Sequence, residues 1–222
     1  MSLTNTTFLK QTLSLTLVVA LIGFFGFAVA EPANLKAQAS DSTTFNANLT
    51  VDEEISLTVG VQPVTLDENL GLSNDYADGK TNVNVETSSK DGYTLKLSAG
   101  SDPALTHDST NDSFEDYTPS SNNTAEAWST DSDSYQFGYS MLDNSDIESD
   151  FSQSGDCTDG NPTNGGEKYE GASTTAEVIA SNSTSTDATG RDMTLCLAVG
   201  QNGVNAPSGN YTATLTATAN VN

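Results

Sequence analysis

The last dozen residues constrain the fold more than any other stretch. Tyr211, Ala213, Leu215, Ala217, Ala219 and Val221 alternate there with Thr212, Thr214, Thr216, Thr218 and Asn220. Successive strand side chains point to opposite faces, so strict alternation describes a strand with one face buried and one face wet. Threonine reinforces this, because branching at Cβ favours strands over helices. The same period recurs along the chain. It runs through Phe45, Ala47, Leu49 and Val51, then through Ile55, Leu57 and Val59, and through Val83 and Val85. It returns in Tyr93, Leu95, Leu97 and Ala99, in Tyr135, Phe137 and Tyr139, and in Met193, Leu195, Leu197 and Val199. No helical period competes with it after Glu31. Short strands separated by turn residues predict an all-β fold, a two-sheet antiparallel sandwich.

Turn chemistry fills the gaps. Lys90-Asp91-Gly92 stands between the strands near Val85 and Leu95 and predicts a hairpin there. Ala206-Pro207-Ser208-Gly209 introduces the final strand. Two stretches break the rhythm. Residues 101–134 hold eight acidic residues and no Lys or Arg. Residues 143–175 contain Cys157 and the glycines from Gly155 to Gly166. Both read as long acidic loops, because so polar a sequence buries too little apolar surface to offset the entropy of ordering. Loops of that length are either functional or mobile.

The N-terminus carries a different signal. Lys10 is the one charged side chain before Glu31, and an apolar run from Leu13 leads to Ala28-Val29-Ala30. A positive start, an apolar stretch and an Ala-x-Ala end describe an export leader. Residues 1–30 are therefore expected to be a signal peptide, 31–42 a flexible segment, and 43–222 the β-sandwich domain. The 18 residues from Leu13 to Ala30 also reach the lower limit of a membrane span, so an uncleaved leader would form a tethering helix. Cleavage after Ala30 leaves six basic residues against thirty acidic ones, a net charge of −24. Such a surface repels nucleic acid and anionic membranes. It reads as a solvated acidic exterior or as adaptation to a salty medium.

Two cysteines, Cys157 and Cys196, remain after the leader. An even count in an exported domain predicts one disulfide, closing a 40-residue loop. A Cys-based metal site is not expected, since there is no Cys-x-x-Cys pair and His107 is the lone histidine.

Enzyme signatures are weak. Gly138-Tyr139-Ser140-Met141-Leu142 lacks the second glycine of a nucleophile elbow and lies in a predicted strand, and His107 is the one histidine that could serve as a triad base, so no triad is expected. Gly79-Lys80-Thr81 ends like a phosphate-binding loop, but Asn74 stands where the earlier glycine belongs. Thirty acidic residues produce carboxylate pairs by chance, so no glycosidase pair is read from them. Asp131, Asp133, Asp143 and Asp146 place hard oxygen ligands close together in loops, without the spacing of an EF-hand. They read as solvated acids, with a loose Ca²⁺ site as the alternative; no cofactor is expected. Trp128, Tyr117 and Tyr135 are placed either to stack on a sugar or pack against a protein partner, or to fold back as a lid over the end of the sandwich. Asn48, Asn111, Asn122, Asn182 and Asn210 begin Asn-x-Ser/Thr sequences, which chance explains in so Asn- and Thr-rich a chain.

Three pieces carry a resemblance: Val83-Asn84-Val85-Glu86-Thr87 followed by Asp91-Gly92-Tyr93-Thr94-Leu95, then Phe137-Gly138-Tyr139-Ser140, then Pro207-Ser208-Gly209-Asn210-Tyr211-Thr212 to Ala219. Together they resemble the secreted immunoglobulin-like β-sandwich proteins of bacterial cell surfaces and, more distantly, WxL-type wall-binding domains. Phe137 stands where the latter would have Trp. The resemblance implies a fold and carries no site residues, since the matching positions are core and turn. The expected function is an exported, extracellular or cell-surface structural or adhesive protein without catalysis. Its partner would be a cell-envelope component or a ligand on a neighbouring surface. A filament subunit that lends the segment from Ala39 to Val51 to a neighbour's sheet edge is the second reading, and a carbohydrate-binding module using Trp128 is the third.

Overall fold

The computed structural model describes residues 47–120, 124–142, 144–151, 155, 157, 162–163 and 166–222. The leader, the segment 31–42, Phe45, Asn122 and Asp143 lie outside the described residues. The chain divides into two units, Met1–Leu49 and Thr50–Asn222, and the second holds the fold. Among the described residues there are strands and no helix, so the described part of the chain is all-β. No helix there is long and apolar enough to cross a membrane.

The described residues form twelve strands in order: β1 (Ile55–Val59), β2 (Tyr76–Thr87), β3 (Tyr93–Ala99), β4 (Leu105–His107), β5 (Glu115–Asp116), β6 (Glu126–Ala127), β7 (Ser134–Leu142), β8 (Lys168–Tyr169), β9 (Glu177–Asn182), β10 (Arg191–Asn202), β11 (Tyr211–Ala213) and β12 (Leu215–Val221). The largest sheet has the order β1-β2-β10-β7-β5, antiparallel except for the β5–β7 pair. A second sheet runs β12-β3-β9. The pair β4–β11 prolongs it, since Gly100 N–H donates to Thr214 O at 2.8 Å across the break. A small β6–β8 pair completes the set.

Register explains the burial. Val199 lies opposite Ala77 and Phe137, and Met193 opposite Val83, which aligns apolar rows on one face of the large sheet. Leu95 lies opposite Ala219 and Ala180 in the second sheet. These rows join one apolar cluster drawn from both sheets, with Val85, Tyr93, Leu95, Met141 and Met193 fully enclosed.

The expected Lys90–Gly92 hairpin is corrected. β2 and β3 do not pair; they belong to different sheets, and the turn carries the chain from one to the other. Gly92 N–H donates to Ser89 O at 3.1 Å, so the turn forms locally, but an Asp-Gly turn does not decide which sheet the next strand joins.

The long loops also differ from expectation. Residues 101–134 contain β4, β5 and β6 and bury Leu105, Phe114, Tyr117, Ala125 and Trp128. Residues 143–175 contain β8, and their segment at Asp146–Glu148 bonds along β9: Ser181 N–H donates to Asp146 O at 2.7 Å and Glu148 N–H to Ile179 O at 3.0 Å. A few large apolar side chains spaced through polar sequence are enough to anchor each loop. Tyr117, Trp128, Cys157 and Tyr169 pack with Leu142, Cys196 and Ala198, on the face of β7 and β10 that points away from the main core. The large sheet is thus covered on both faces, once by the second sheet and once by the acidic loops.

Candidate functional site

The aromatic layer under the loops comes first, because it decides what reaches solvent. Tyr117 stacks on Trp128 with ring centroids 4.7 Å apart, and Tyr169 meets the indole edge-on at 5.1 Å. Trp128 Nε1 donates to Thr130 Oγ1 at 2.9 Å, and the tryptophan is 4% exposed. Its faces are taken by protein, as a lid requires, and no sugar can stack on them in this arrangement. Tyr135 does not join this layer; it packs edge-on against Phe114 at 5.1 Å. The glycines of β7 and β10 make the close approach possible. A Cβ on Gly138 would lie 2.9 Å from Glu170 O and 3.0 Å from Trp128, and one on Gly200 would lie 2.8 Å from Trp128 Nε1.

Cys157 and Cys196 form the predicted disulfide, with Cα atoms 5.8 Å apart. It ties the loop 143–175 to the middle of β10 within this aromatic layer.

Of the Ca²⁺ candidates, Asp131, Asp133 and Asp146 are among the described residues. Asp131 pairs with Gln136 at the start of β7, its N–H donating to Gln136 Oε1 at 3.0 Å. Asp133 sits in the adjoining turn. Asp146 is buried beyond the other end of β7, where its Oδ2 accepts from Tyr93 Oη at 3.0 Å and Asn182 Nδ2 at 2.9 Å and faces Arg191 Nε at 3.5 Å. Burial, with the Asp146 carboxylate beside it, pushes the Tyr93 phenol well above its ordinary range. Asp146 acts as a strut between β3, β9 and β10. Among the described residues no three His, Cys, Asp or Glu side chains are gathered for a metal. His107 packs edge-on against Tyr211 at 4.9 Å, and its Nδ1 accepts from the backbone of Ser109 and Thr110 at 3.0 and 3.1 Å. Ser140 is fully buried within β7, and Gly79-Lys80-Thr81 lies inside β2, so neither forms the loop its chemistry would need.

The structure adds a site that the sequence reading did not single out. A cleft of about 310 Å³ opens where the two acidic loops meet, lined by Asp102, Asp116, Glu170 and Glu177 with Thr118 and Pro119. Parallel pairing of β5 with β7 sets Asp116 opposite Phe137. Glu170 is set by its bridge to Tyr139, with backbone bonds of 2.8 and 2.9 Å. Glu177 begins β9 opposite Leu97. Asp116, Glu170 and Glu177 are thus fixed by a strand or bridge, and no lysine or arginine lines the cleft. Burial pushes Asp116 up to about 6, helped by nearby Asp102 and opposed by the Ala104 N–H that its carboxylate accepts. Burial first, then neighbouring Glu177, raises Glu170; burial raises Glu177. Such a cleft holds protons in mildly acid solution and draws cationic groups once ionised. Asp116 was not distinguishable among thirty acids, although its neighbours Phe114 and Tyr117 mark this part of the loop as anchored. The chain matches no protein-family model and no curated protein.

Proposed function

We propose that the chain is an exported structural or adhesive protein of the cell surface, working without catalysis on an immunoglobulin-like β-sandwich. The observation that carries this reading is the Cys157–Cys196 disulfide in a β-rich fold, because such a bond persists in oxidising, extracellular surroundings and is rare in a reducing cytosol. A single apolar core shared by the two larger sheets supports the sandwich. The loops packed on the outer face of the large sheet then present the acidic cleft and the surrounding carboxylates to a partner, which would be a cell-envelope component or a ligand on a neighbouring surface. Held by strands, bridges and a disulfide, that surface suits recognition by shape and charge.

Fractionation of the producing cells tests this, with N-terminal sequencing and thiol labelling of the recovered protein. The expected product lies outside the cytoplasmic membrane, starts at Glu31 or keeps its leader as a tether, and offers no free thiol. Recovery of a soluble cytosolic chain with two labelled thiols would overturn the reading.

A further inference from the structure

We infer that the chain associates with itself: residues 47–51 of one copy add as a strand to the edge formed by β1 and β12 of the next. β1 ends the large sheet and β12 ends the second sheet, so each has one side without a strand partner among the described residues. Their Cα atoms approach within 8 Å, yet the two strands do not pair. Ile55, Leu57, Leu215, Ala217 and Ala219 point toward the core here but stay only partly buried, whereas Val85, Leu95, Met141 and Met193 on the inner strands are fully enclosed. The flank is an incompletely covered apolar seam.

Edges of this kind are normally blunted by charge, proline or bulges. This one is not. In a chain with thirty acidic residues, neither β1 nor the stretch 211–222 contains a charged residue or a proline. The self-repulsion expected over the rest of the surface is therefore weakest along this seam.

The occupant has matching chemistry. Ala47-Asn48-Leu49-Thr50-Val51 is uncharged, alternates with period two, and carries no regular secondary structure. Leu49 is 88% exposed and Val51 72%, the apolar side of a strand left in water. Added to the seam, these residues would cover its half-buried leucines and alanines and turn Asn48 and Thr50 outward. The partner is a second copy because Asp52–Glu54 is fastened in line with β1. Ser88 Oγ donates to Asp52 O at 3.0 Å, Glu54 N–H donates to Ser88 Oγ at 2.8 Å, and Ser88 N–H donates to Glu54 O at 3.1 Å. A reversal that paired 47–51 with β1 of its own molecule would break these bonds. Donor and acceptor are different surfaces, so each added copy leaves a free donor and a free seam, and growth continues.

The test uses the full chain expressed with its leader and recovered as the cells release or display it. Sedimentation is followed over a concentration series at physiological salt. The unaltered protein is expected to form dimers and longer species whose share rises with concentration. The Leu49→Asp/Val51→Asp variant is expected to remain monomeric with an unchanged Tm, since both side chains are already exposed. A synthetic peptide of residues 43–51 in excess should cap growth of the unaltered protein. A further variant, Thr50→Cys with Thr216→Cys, places both thiols on the outward face and should give intermolecular crosslinks on oxidation. A unaltered chain monomeric throughout, association undiminished in Leu49→Asp/Val51→Asp, or crosslinks confined to single chains would each overturn the inference.

Discussion

At Gly138 a missing β-carbon sets the thickness of a packing layer. The loop aromatics rest directly on this part of β7, and an added methyl would press on the backbone of Glu170 as well as on Trp128 and Tyr117. Overpacking of this kind costs roughly 1–3 kcal/mol. Gly138→Ala is expected to destabilise within that range in urea unfolding. Its emission spectrum should shift to the red before global unfolding, because Trp128 is the lone tryptophan and reports on this layer. Asp146 makes the contrasting case of a polar side chain that cannot be spared. One carboxylate oxygen serves Tyr93, Asn182 and Arg191. Asp146→Ala leaves the buried phenol and amide without their acceptor, and the expected loss is about 2–3 kcal/mol. Asp146→Asn keeps an acceptor oxygen and should lose less, so a ranking with Asn below Ala in stability would contradict this role.

Among the elements, the disulfide has the largest predicted effect. It closes 40 residues, for which the chain-entropy model gives roughly 4 kcal/mol. Reduction, or Cys157→Ser with Cys196→Ser, is expected to lower Tm strongly while leaving the strand signal in circular dichroism intact at low temperature, since both apolar clusters remain. How far the elements could be read beforehand follows from their physics. β3, β7, β10 and β12 alternate cleanly because each has neighbours on both sides or one clear inner face, and sequence alone locates them. β9 was missed because a bulge opposite Leu95 and Lys96 buries Ile179 and Ala180 consecutively and breaks the period. β5, β6 and β8 are two residues long, too short to carry any period. The start of β2 hides for another reason. Asp78 and Gly79 are buried there against the chain at Thr65–Asp67, whose approach needs a glycine rather than an apolar side chain. The disulfide was legible from count and compartment. The acidic cleft was not, because it depends on which of thirty carboxylates the loop strands bring together.

For the molecule as a whole, charge and burial act in the same direction as pH changes, and they can be separated. Asp116, Glu170 and Glu177 hold their protons more tightly in the folded protein than ordinary carboxyls do, chiefly because burial disfavours the ionised form. A group whose folded pKa lies above its unfolded value contributes stability that is complete below the unfolded pKa and is lost as pH rises through the folded one. For Asp116, with a folded value of about 6, the loss falls between roughly pH 4 and pH 7. Stability should therefore rise as the protein is taken from neutral to mildly acid solution. General repulsion in a chain of net charge −23 at pH 7 predicts a rise of the same sign. Salt distinguishes the two, since it screens exposed charges and leaves the cost of burying a carboxylate largely in place. Unfolding midpoints measured from pH 4.5 to 7.5 should keep part of their slope in 1 M NaCl. Asp116→Asn, which cannot ionise, should remove much of that remaining slope and raise stability at pH 7.5 relative to the unaltered chain. A slope abolished by salt, or one identical in Asp116→Asn, would assign the pH response to the acidic surface at large and leave the cleft without a part in it.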